Sequence, residues 1–443
     1  QAGGRVPVPL KSDFLSIYGR RPTSGTERIS MILRNDLRPD NAPDSLEVIQ
    51  LTNCPHAASH LYMEAQIFTP DSKRFLLHEC ATAHRGNVND PHHRYMVCDL
   101  EDNCALRPVI AELGATAPSL SPDGKYIYYF VDETKLNGGR FLLKRVNLDG
   151  SARQTICVYD TPLPEVGRYA NRLYPLSTIR SDGRKIALAC FLGNGTEEGK
   201  LWGLMVFDLD NSERNLILSG ESWCNLHPQY CRSTDPEYMR DILVQENHGN
   251  EIEADGTFIK LTNPPGADIH VIKDDGTDFR NMPWGRDGNE ACQGHQCWRG
   301  TSEWAITGTS TRNPPEKQLI ESTAVPHTDH IGSASPGGIR NNISASYPGP
   351  CFSHFATDKS GKRLVTDTAA TDQGGRVLTA ELGEPGKAPA SSWKCIAHPR
   401  SSWQKDTHLH PFLSPDGTKA FFNSDESGLL QAYMVRGFDL NYT

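Results

Sequence analysis

Several features that define common protein classes are missing from this sequence. No run of about 18 apolar residues occurs, so no membrane-spanning helix is predicted. Acidic and basic residues (54 and 45, formal net charge −9) are interspersed without a basic block, so nucleic acid is not an expected partner. No G-x-S-x-G motif occurs, which argues against a serine hydrolase. An anionic ligand would need local positive charges, because the overall field opposes it.

The chain has 12 cysteines but no paired C-x-x-C motifs, so a zinc ribbon or zinc knuckle is not predicted. Six of the cysteines form three pairs that are close in sequence: Cys98 with Cys104, Cys224 with Cys231, and Cys292 with Cys297. This spacing favours short loops closed by disulfides in an oxidising compartment. The alternative is a cytosolic protein with many free thiols.

Two further features favour a secreted glycoprotein. N-x-S/T acceptor motifs occur at Asn194, Asn342 and Asn441. The chain starts at Gln1 rather than Met, as a mature product does after removal of a signal peptide. We therefore expect an extracellular protein, and we expect it to be a monomer.

A turn motif recurs along the chain, and each copy combines an apolar approach, a Pro/Asp/Gly turn and a strand-like segment. The clearest copies are FTPDSKRFLLHE, LSPDGKYIYYF, IRSDGRKIALAC and LSPDGTKAFFNSD. Weaker copies contain Asp235 and Asp358. The interval is roughly 50–60 residues, apart from one double gap in which GHQCWRGTSEWAITG supplies the missing copy.

This period, with several strands per unit, predicts an all-β fold, a seven-bladed β-propeller that forms a single domain over residues 1–443. The segments 247–290 and 313–350 are rich in Gly, Pro, Asn and Asp, so we expect loops that decorate one face. A two-domain chain with a separate middle module is the alternative.

Histidines at the starts of strands are the candidate functional residues. His408 and His410 share one face of an extended segment, because side chains alternate along it. His295 lies in GHQCW, and His227 lies in HPQYC. Two or three imidazoles with an amide or water form a site for a borderline divalent metal such as manganese or zinc. Alternatively, the H-x-H pair only makes hydrogen bonds within a turn.

Three segments of the chain resemble the signatures of oligogalacturonate lyases. These segments are LHPQYCRSTDPEYMRDILVQENHG, GHQCW and HLHPFLSPDGTKAFFNSD. Members of that family are seven-bladed propellers with a manganese ion held by histidines and a glutamine. The resemblance implies that His295, His408 and His410 are metal ligands.

The resemblance is less direct at the glutamine position. Lys405 stands where the family has its glutamine, and Gln404, one residue away, is the candidate ligand in this chain. The resemblance also implies that His227 and Arg299 contact the substrate. The expected cofactor is manganese or a similar divalent ion, with calcium as an alternative and no organic cofactor.

Features that suggest secretion, together with long insertions between the fourth and sixth units, make the chain more similar to secreted fungal lyases. Those enzymes release L-rhamnose from α-1,4-linked D-glucuronate in the arabinogalactan side chains of gum arabic. The expected partner is therefore an anionic oligosaccharide or polysaccharide. Two alternatives remain: an oligogalacturonate lyase, and a non-enzymatic propeller that binds a glycan or a protein.

Uronate β-elimination removes the proton at C5 and expels the substituent at O4. A cation must neutralise the carboxylate, a base must take the C5 proton, and an acid must protonate the leaving oxygen. In a glucuronate H5 and O4 lie on the same side of the ring, so one group can make both transfers. In a galacturonate they are anti, and groups on opposite faces are needed.

Three residues from neighbouring units resemble the His–Tyr–Arg sets of propeller lyases that act on glucuronate-type polymers. His84 in HECATAHRGN is the expected acid or base, Tyr129 in KYIYYF its partner, and Arg145 in LLKRVNL the bidentate clamp for the carboxylate. His60 in ASHLYMEAQ is an alternative acid or base. Packing for Tyr129 and a surface ion pair for Arg145 are the competing roles.

Overall fold

β-strands make up nearly all of the regular structure in this computed structural model. The structure describes residues 31–80, 87–194, 200–253, 258–260, 266–284, 290–311, 329–336, 338, 340–345, 347, 352–371, 374–404 and 407–438. A single 3-10 turn, Asn35–Leu37, is the one helical element in these ranges. Within the same ranges, no helix has the length and apolar content that crossing a membrane requires.

The strands follow one another with few interruptions. The first fourteen are β1 (Ile32–Leu33), β2 (Glu47–Gln50), β3 (Ala57–His60), β4 (Arg74–Cys80), β5 (Arg94–Asp99), β6 (Ala105–Ile110), β7 (Ala115–Leu120), β8 (Tyr126–Asp132), β9 (Phe141–Asn147), β10 (Gln154–Tyr159), β11 (Tyr169–Ile179), β12 (Lys185–Gly193), β13 (Leu201–Asp208) and β14 (Arg214–Gly220). The next ten are β15 (Gln229–Tyr230), β16 (Asp241–Asn247), β17 (Glu251–Ile252), β18 (Phe258–Lys260), β19 (Ala267–Lys273), β20 (Arg280–Asn281), β21 (Glu290–Trp298), β22 (Ala305–Thr311), β23 (Asp329–Ala334) and β24 (Arg340–Asn342). The last seven are β25 (Phe352–Thr357), β26 (Arg363–Thr371), β27 (Gly374–Glu381), β28 (Ser391–Ala397), β29 (Phe412–Leu413), β30 (Lys419–Ser424) and β31 (Gln431–Arg436).

Antiparallel four-stranded sheets are the repeating unit. Strands β3–β6, β7–β10, β11–β14 and β25–β28 each form one sheet in chain order. A five-stranded sheet, β1-β2-β31-β30-β29, joins the two ends of the chain, with Val48 paired to Val435. This pairing closes the ring of sheets, so the predicted all-β propeller is confirmed.

The largest sheet has eight strands, in the order β15-β16-β19-β21-β22-β23-β24 with β20 alongside β19. Its two halves, β15-β16-β19-β20 and β21–β24, are joined through one residue pair, Ala267 with Cys292, and β17 and β18 form a separate two-stranded sheet. The described residues therefore form six large sheets, one fewer than the seven predicted units.

The recurring Asp–Gly motif forms the tight turn between the first two strands of a sheet. In the copy before β8, Asp123 accepts hydrogen bonds from the Ser121 hydroxyl (2.6 Å) and from the Lys125 N–H (3.1 Å). Gly124 has a φ of +73°, and a Cβ there would lie 2.8 Å from Cδ of Pro70 in the neighbouring sheet. The motif is therefore structural, as predicted.

An aromatic cluster packs the first sheet against the sheet that closes the ring. The Phe75 and Phe421 ring centroids are 4.8 Å apart, and those of Phe412 and Phe421 are 5.0 Å apart. Large aromatic side chains contribute much of the burial in such interfaces. Together with the β2–β31 pairing, this cluster holds the start and the end of the described chain together.

The disulfide prediction is wrong for the three local pairs. No disulfide joins any of the described cysteines. Cys292 and Cys297 lie on one strand, β21, opposite Thr309 and Ile306 of β22, and three residues of extended chain span roughly 10 Å, too far for a disulfide. Cys224 and Cys231 pack in different apolar clusters, and the Cys98 thiol points to the Cys104 carbonyl at 3.7 Å.

The expectation of loops over 247–290 and 313–350 is also partly wrong. Strand β19 lies within the first segment and pairs with β16 along its whole length, from Ala267–Asn247 to Lys273–Asp241. Strands β23 and β24 lie in the second segment, whose residues 313–328 are outside the described ranges. Both segments therefore contribute strands to the eight-stranded sheet.

Candidate metal centre and its surroundings

Three histidines from two sheets converge on one point. His354 lies in β25, and His408 and His410 lie in the segment before β29. Their ligand nitrogens are all within 4.8 Å of one another. The ring centroids of His354 and His410 are 4.2 Å apart, and His408 lies 5.5 Å from His354. The predicted H-x-H pair is therefore completed by His354.

His354 is fixed by a buried carboxylate on the neighbouring strand, β26. Asp367 accepts the backbone N–H of His354 at 2.6 Å and its Nδ1–H at 2.9 Å. Nε2 of His354 is buried and has no hydrogen-bond partner among the described residues. A carboxylate that orients a ring and leaves the other nitrogen with its lone pair is the usual support of a metal-binding histidine.

Burial sets the protonation states of this pair. Desolvation, reinforced by the nearby His408, lowers the pKa of His354 well below its ordinary value, so the ring is neutral. Desolvation also raises the pKa of Asp367 to about 7, although hydrogen bonds from His354 oppose the rise. A neutral imidazole is the form that binds a metal.

His295 lies next to this group. Its ring centroid is 4.4 Å from that of His354, and its Nδ1 donates to the Ser353 carbonyl at 2.8 Å. Burial and the neighbouring His354 lower the pKa of His295 well below its ordinary value. His295 does not belong to the set whose ligand atoms lie within 4.8 Å, so its role as a ligand stays a prediction.

A second buried pair, Glu64 and His227, lies near the histidine group. Nδ1 of His227 is 3.0 Å from Oε2 of Glu64, and Asn225 contacts Nε2 of His227 at 2.8 Å. The Tyr174 hydroxyl donates to Oδ1 of Asn225 at 2.8 Å. Burial raises the pKa of Glu64, and the adjacent His227 opposes that rise. This chain of contacts holds the His227 ring in one orientation.

Tyr62 connects the two groups. Its ring centroid is 5.0 Å from that of His227 and 4.8 Å from that of His410. The chain therefore brings together residues whose sequence positions differ by more than 300.

Unusual backbone conformations point two of these histidines inward. His227 has a φ of +47° and His410 a φ of +45°, a region that residues other than glycine seldom adopt. Each is followed by proline, which disfavours the right-handed helical region for the residue before it. Such strained positions cluster at functional sites.

A groove of about 520 Å³ adjoins the His227 side of the site. Tyr174 and Asn225 line the groove, and its charged lining residues are two cationic side chains, Arg172 and Lys135, and one carboxylate, Asp132. The Arg172 guanidinium lies 3.9 Å from the centre of the Phe191 ring. The groove thus offers the local positive charge that an anionic ligand of an acidic protein requires.

Two of the predicted catalytic residues lie in the second sheet. The Tyr129 hydroxyl donates to Oε2 of Glu112 at 2.9 Å, and Tyr129 is fully buried. Arg145 donates to Gln154 at 3.2 Å and stacks on the Tyr126 ring at 4.8 Å. None of these contacts involves the histidine group. His84 lies outside the described residues, so the proposed set of His84, Tyr129 and Arg145 stays a prediction.

The remaining predicted site residues are described by their own contacts. His60 is buried in β3, where its Nδ1 donates to the Leu61 carbonyl. Arg299 donates to the carbonyls of Gly361 and Gly383, in the loops that follow β25 and β27. Gln404 is exposed, and its backbone carbonyl accepts the Thr407 N–H at 2.9 Å. Lys405 is outside the described residues.

Sequence reasoning missed His354, Asp367, Glu64 and Tyr62. One signal was available: His354 stands near the start of the repeat copy HFATDKSGKRLVTD, just as His410 precedes the turn of the last copy. Asp367, Glu64 and Tyr62 occupy strand and loop positions that carry no local motif.

The fold and the site define a β-propeller with a histidine group and a carboxylate–histidine pair at its centre. Solved structures share the fold. An oligogalacturonate lyase in complex with manganese aligns with a TM-score of 0.64 and 19% identity, over 93% of this chain and 98% of that one. An oligogalacturonate lyase from Vibrio parahaemolyticus aligns with a TM-score of 0.64 and 18% identity, over 92% and 97%. At these identities the likeness establishes the fold. No family model and no curated protein matches the sequence.

Proposed function

We propose that this chain is a metal-dependent lyase that cleaves uronate-containing oligosaccharides by β-elimination. The observation that carries the proposal is the convergence of His354, His408 and His410 beside the Glu64–His227 pair. The proposal treats the eight-stranded sheet as two blades, which makes a seven-bladed propeller. The similar fold of oligogalacturonate lyases, one of them in complex with manganese, supports it.

The three histidines fit manganese or a similar divalent ion. His354 presents a buried lone pair at Nε2, and Asp367 holds its ring in place. Imidazole ligands suit borderline divalent metals, and oxygen ligands from water or substrate would complete the coordination. When bound, such an ion neutralises the uronate carboxylate and so stabilises the enediolate-like transition state.

The remaining groups supply proton transfer and positioning. His227 takes the C5 proton at Nε2, after the substrate displaces the Asn225 amide from that atom, and Glu64 stabilises the resulting imidazolium. Tyr62, between His227 and His410, donates a proton to the leaving oxygen. Arg172 and Lys135 bind further carboxylates of the oligosaccharide in the groove.

The favoured substrate is an oligogalacturonate, because the structures that share the fold over almost their whole length act on it. A second candidate is the rhamnose–glucuronate linkage of arabinogalactan. The sequence resemblance to secreted lyases favours it, and so do two acceptor asparagines, Asn194 and Asn342, whose side chains are exposed as glycosylation requires. Secretion and a monomeric state belong to this proposal.

The test is a comparison of the two substrates. We would incubate the protein with oligogalacturonate and separately with gum arabic, with added manganese and with a chelator. The measurement is the ultraviolet absorbance of the 4,5-unsaturated uronate together with release of free rhamnose. The expected result is a manganese-dependent gain in absorbance on oligogalacturonate. Rhamnose release with no activity on oligogalacturonate would select the second substrate.

The matched variants are His354→Ala, which removes a proposed ligand, and His398→Ala, which removes a histidine outside the site. His354→Ala should abolish turnover, and His398→Ala should leave it unchanged. If a folded protein forms no unsaturated product from either substrate, the lyase proposal is wrong. Retained binding of the oligosaccharide in that case would favour a non-enzymatic glycan-binding propeller.

A further inference from the structure

A second group of metal-binding side chains lies in the first sheet, apart from the channel. His78 and Cys80 stand two residues apart on β4, so they face the same side of the sheet. The register of β4 with β5 pairs His78 with Tyr95 and Glu79 with Arg94, and its continuation places Cys80 opposite His93. The ligand atoms of His78, Cys80 and His93 lie within 4.8 Å of one another.

The hydrogen bonds of His93 leave one nitrogen oriented toward this point. Its Nε2 donates to the Ala115 carbonyl of the second sheet at 2.6 Å, so Nδ1 carries the lone pair. That lone pair faces Nε2 of His78 at 2.9 Å. A backbone carbonyl that fixes the far nitrogen of a ring is the support found behind metal-binding histidines.

The Cys80 thiol lies next to a carboxylate that could be a further ligand. Sγ of Cys80 lies 3.7 Å from Oδ2 of Asp90, and both Cys80 and His93 are buried. The Tyr95 ring packs against both imidazoles, with centroids 5.1 Å from His78 and 5.2 Å from His93. His78 is half-buried, which gives an ion a path from solvent.

We propose that His78, Cys80 and His93 bind a zinc ion, with Asp90 or water as the fourth ligand. Two imidazoles and a thiolate form a donor set that zinc prefers, at bond lengths of about 2.0–2.3 Å in a tetrahedral arrangement. Such ligand atoms lie roughly 3.3–3.8 Å apart, so the group reaches this geometry by small side-chain movements.

Binding changes the protons of the group in a defined way. Cys80 releases its thiol proton to solvent and binds as the thiolate. His78 moves its proton from Nε2 to Nδ1. Its Nε2 then binds the ion instead of contacting Nδ1 of His93. The site then links the first sheet to the second through His93 and the Ala115 carbonyl.

Cobalt(II) is the probe, because it occupies zinc sites and gives a thiolate-to-cobalt charge-transfer absorption. None of the proposed ligands of the channel site carries sulfur, so this absorption distinguishes a thiolate site from the channel site, and the Cys80→Ser variant assigns it to Cys80. We would strip the full chain of metal under reducing conditions, add cobalt(II), and record the near-ultraviolet spectrum. The expected result is a charge-transfer band that saturates by two equivalents, since the channel histidines also bind the ion, and that disappears when zinc is added.

The variants are Cys80→Ser and His93→Gln, with Cys157→Ser as the control for a thiol outside the group. Cys80→Ser should remove the band, His93→Gln should weaken cobalt binding at least tenfold, and Cys157→Ser should change neither. Circular dichroism would establish that each variant is folded. A wild-type protein without the band, or a Cys80→Ser variant that keeps it, would overturn the proposal.

Discussion

At the residue scale, the candidate metal centre depends on the carboxylates that accept hydrogen bonds from its histidines. Asp367 holds the His354 ring through Nδ1, and its own charge is buried on β26. The same arrangement recurs with Glu64 behind His227. In both pairs a buried carboxylate orients an imidazole. The other nitrogen has no partner among the described residues in His354 and contacts the Asn225 amide in His227.

The first prediction concerns Asp367. Replacing it by Asn keeps the size of the side chain but removes the negative charge that orients and polarises His354. We expect manganese affinity to fall about ten- to a hundredfold, which is typical for loss of a partner behind a metal ligand. Calorimetric titration of the metal-free protein with manganese would measure this.

The control for that experiment is Asp210→Asn, because Asp210 is exposed and pairs with Arg184 at the surface. That variant should bind manganese as the wild type does. Unchanged affinity in a folded Asp367→Asn variant would mean that His354 is not a ligand.

A second prediction separates the two roles of Tyr129. Its hydroxyl donates to Glu112, which also pairs with Lys144, and none of these three residues contacts the histidine group. We expect Tyr129→Phe to lower the free energy of unfolding by about 1 kcal/mol, the value of one hydrogen bond, and to leave turnover unchanged. Urea unfolding and the uronate assay would measure the two effects. A folded variant without turnover would instead support the predicted catalytic role.

At the element scale, the Asp–Gly turns and the His–Pro positions carry different constraints. The turns repeat because each one closes a hairpin against the neighbouring sheet. The His–Pro positions depart from the repeat, and their left-handed backbone turns imidazoles toward the channel. The two histidines therefore precede the short strands β15 and β29, and the repeated turns follow them.

The third prediction concerns one of these turns. Gly124→Ala forces an L-residue into a φ of +73° and places a methyl group 2.8 Å from Pro70. We expect a loss of more than about 1–2 kcal/mol in the free energy of unfolding, since the contact adds to the cost of the left-handed region. Gly428→Ala is the control, because Gly428 has a φ of +94° and no atom within 4 Å of the added Cβ. Equal losses in urea unfolding would show that the contact with Pro70 has no effect.

At the scale of the whole molecule, ring closure creates the site. Glu64 follows the first strand of the first sheet, His227 precedes the first half of the eight-stranded sheet, and His410 precedes the sheet that joins the chain ends. The β2–β31 pairing and the Phe75–Phe421 contact bring the first and last of these together. A site made of such distant residues exists only when the ring is closed.

The periodic turn motif was sufficient to predict the propeller from the sequence, because each copy is a local structure that the chain specifies within about a dozen residues. The H-x-H pair was recognisable for the same reason, since its two residues lie two positions apart in the chain, although His410 has a left-handed rather than an extended backbone. The predicted local disulfides failed because spacing along the chain says nothing about strand direction. Cys292 and Cys297, for example, are separated along a single strand.

The sequence by itself determined the all-β repeat, its turns and the presence of His408 and His410 at the start of the last unit. The tertiary structure decided that His354 completes their group, that Asp367 and Glu64 stand behind the imidazoles, and that Tyr62 joins the two halves of the site. The physical reason is that most of these contacts connect different sheets, whereas the Asp367–His354 contact depends on the pairing of β25 with β26. Their distances depend on how the sheets pack around the channel, which no local pattern of residues records.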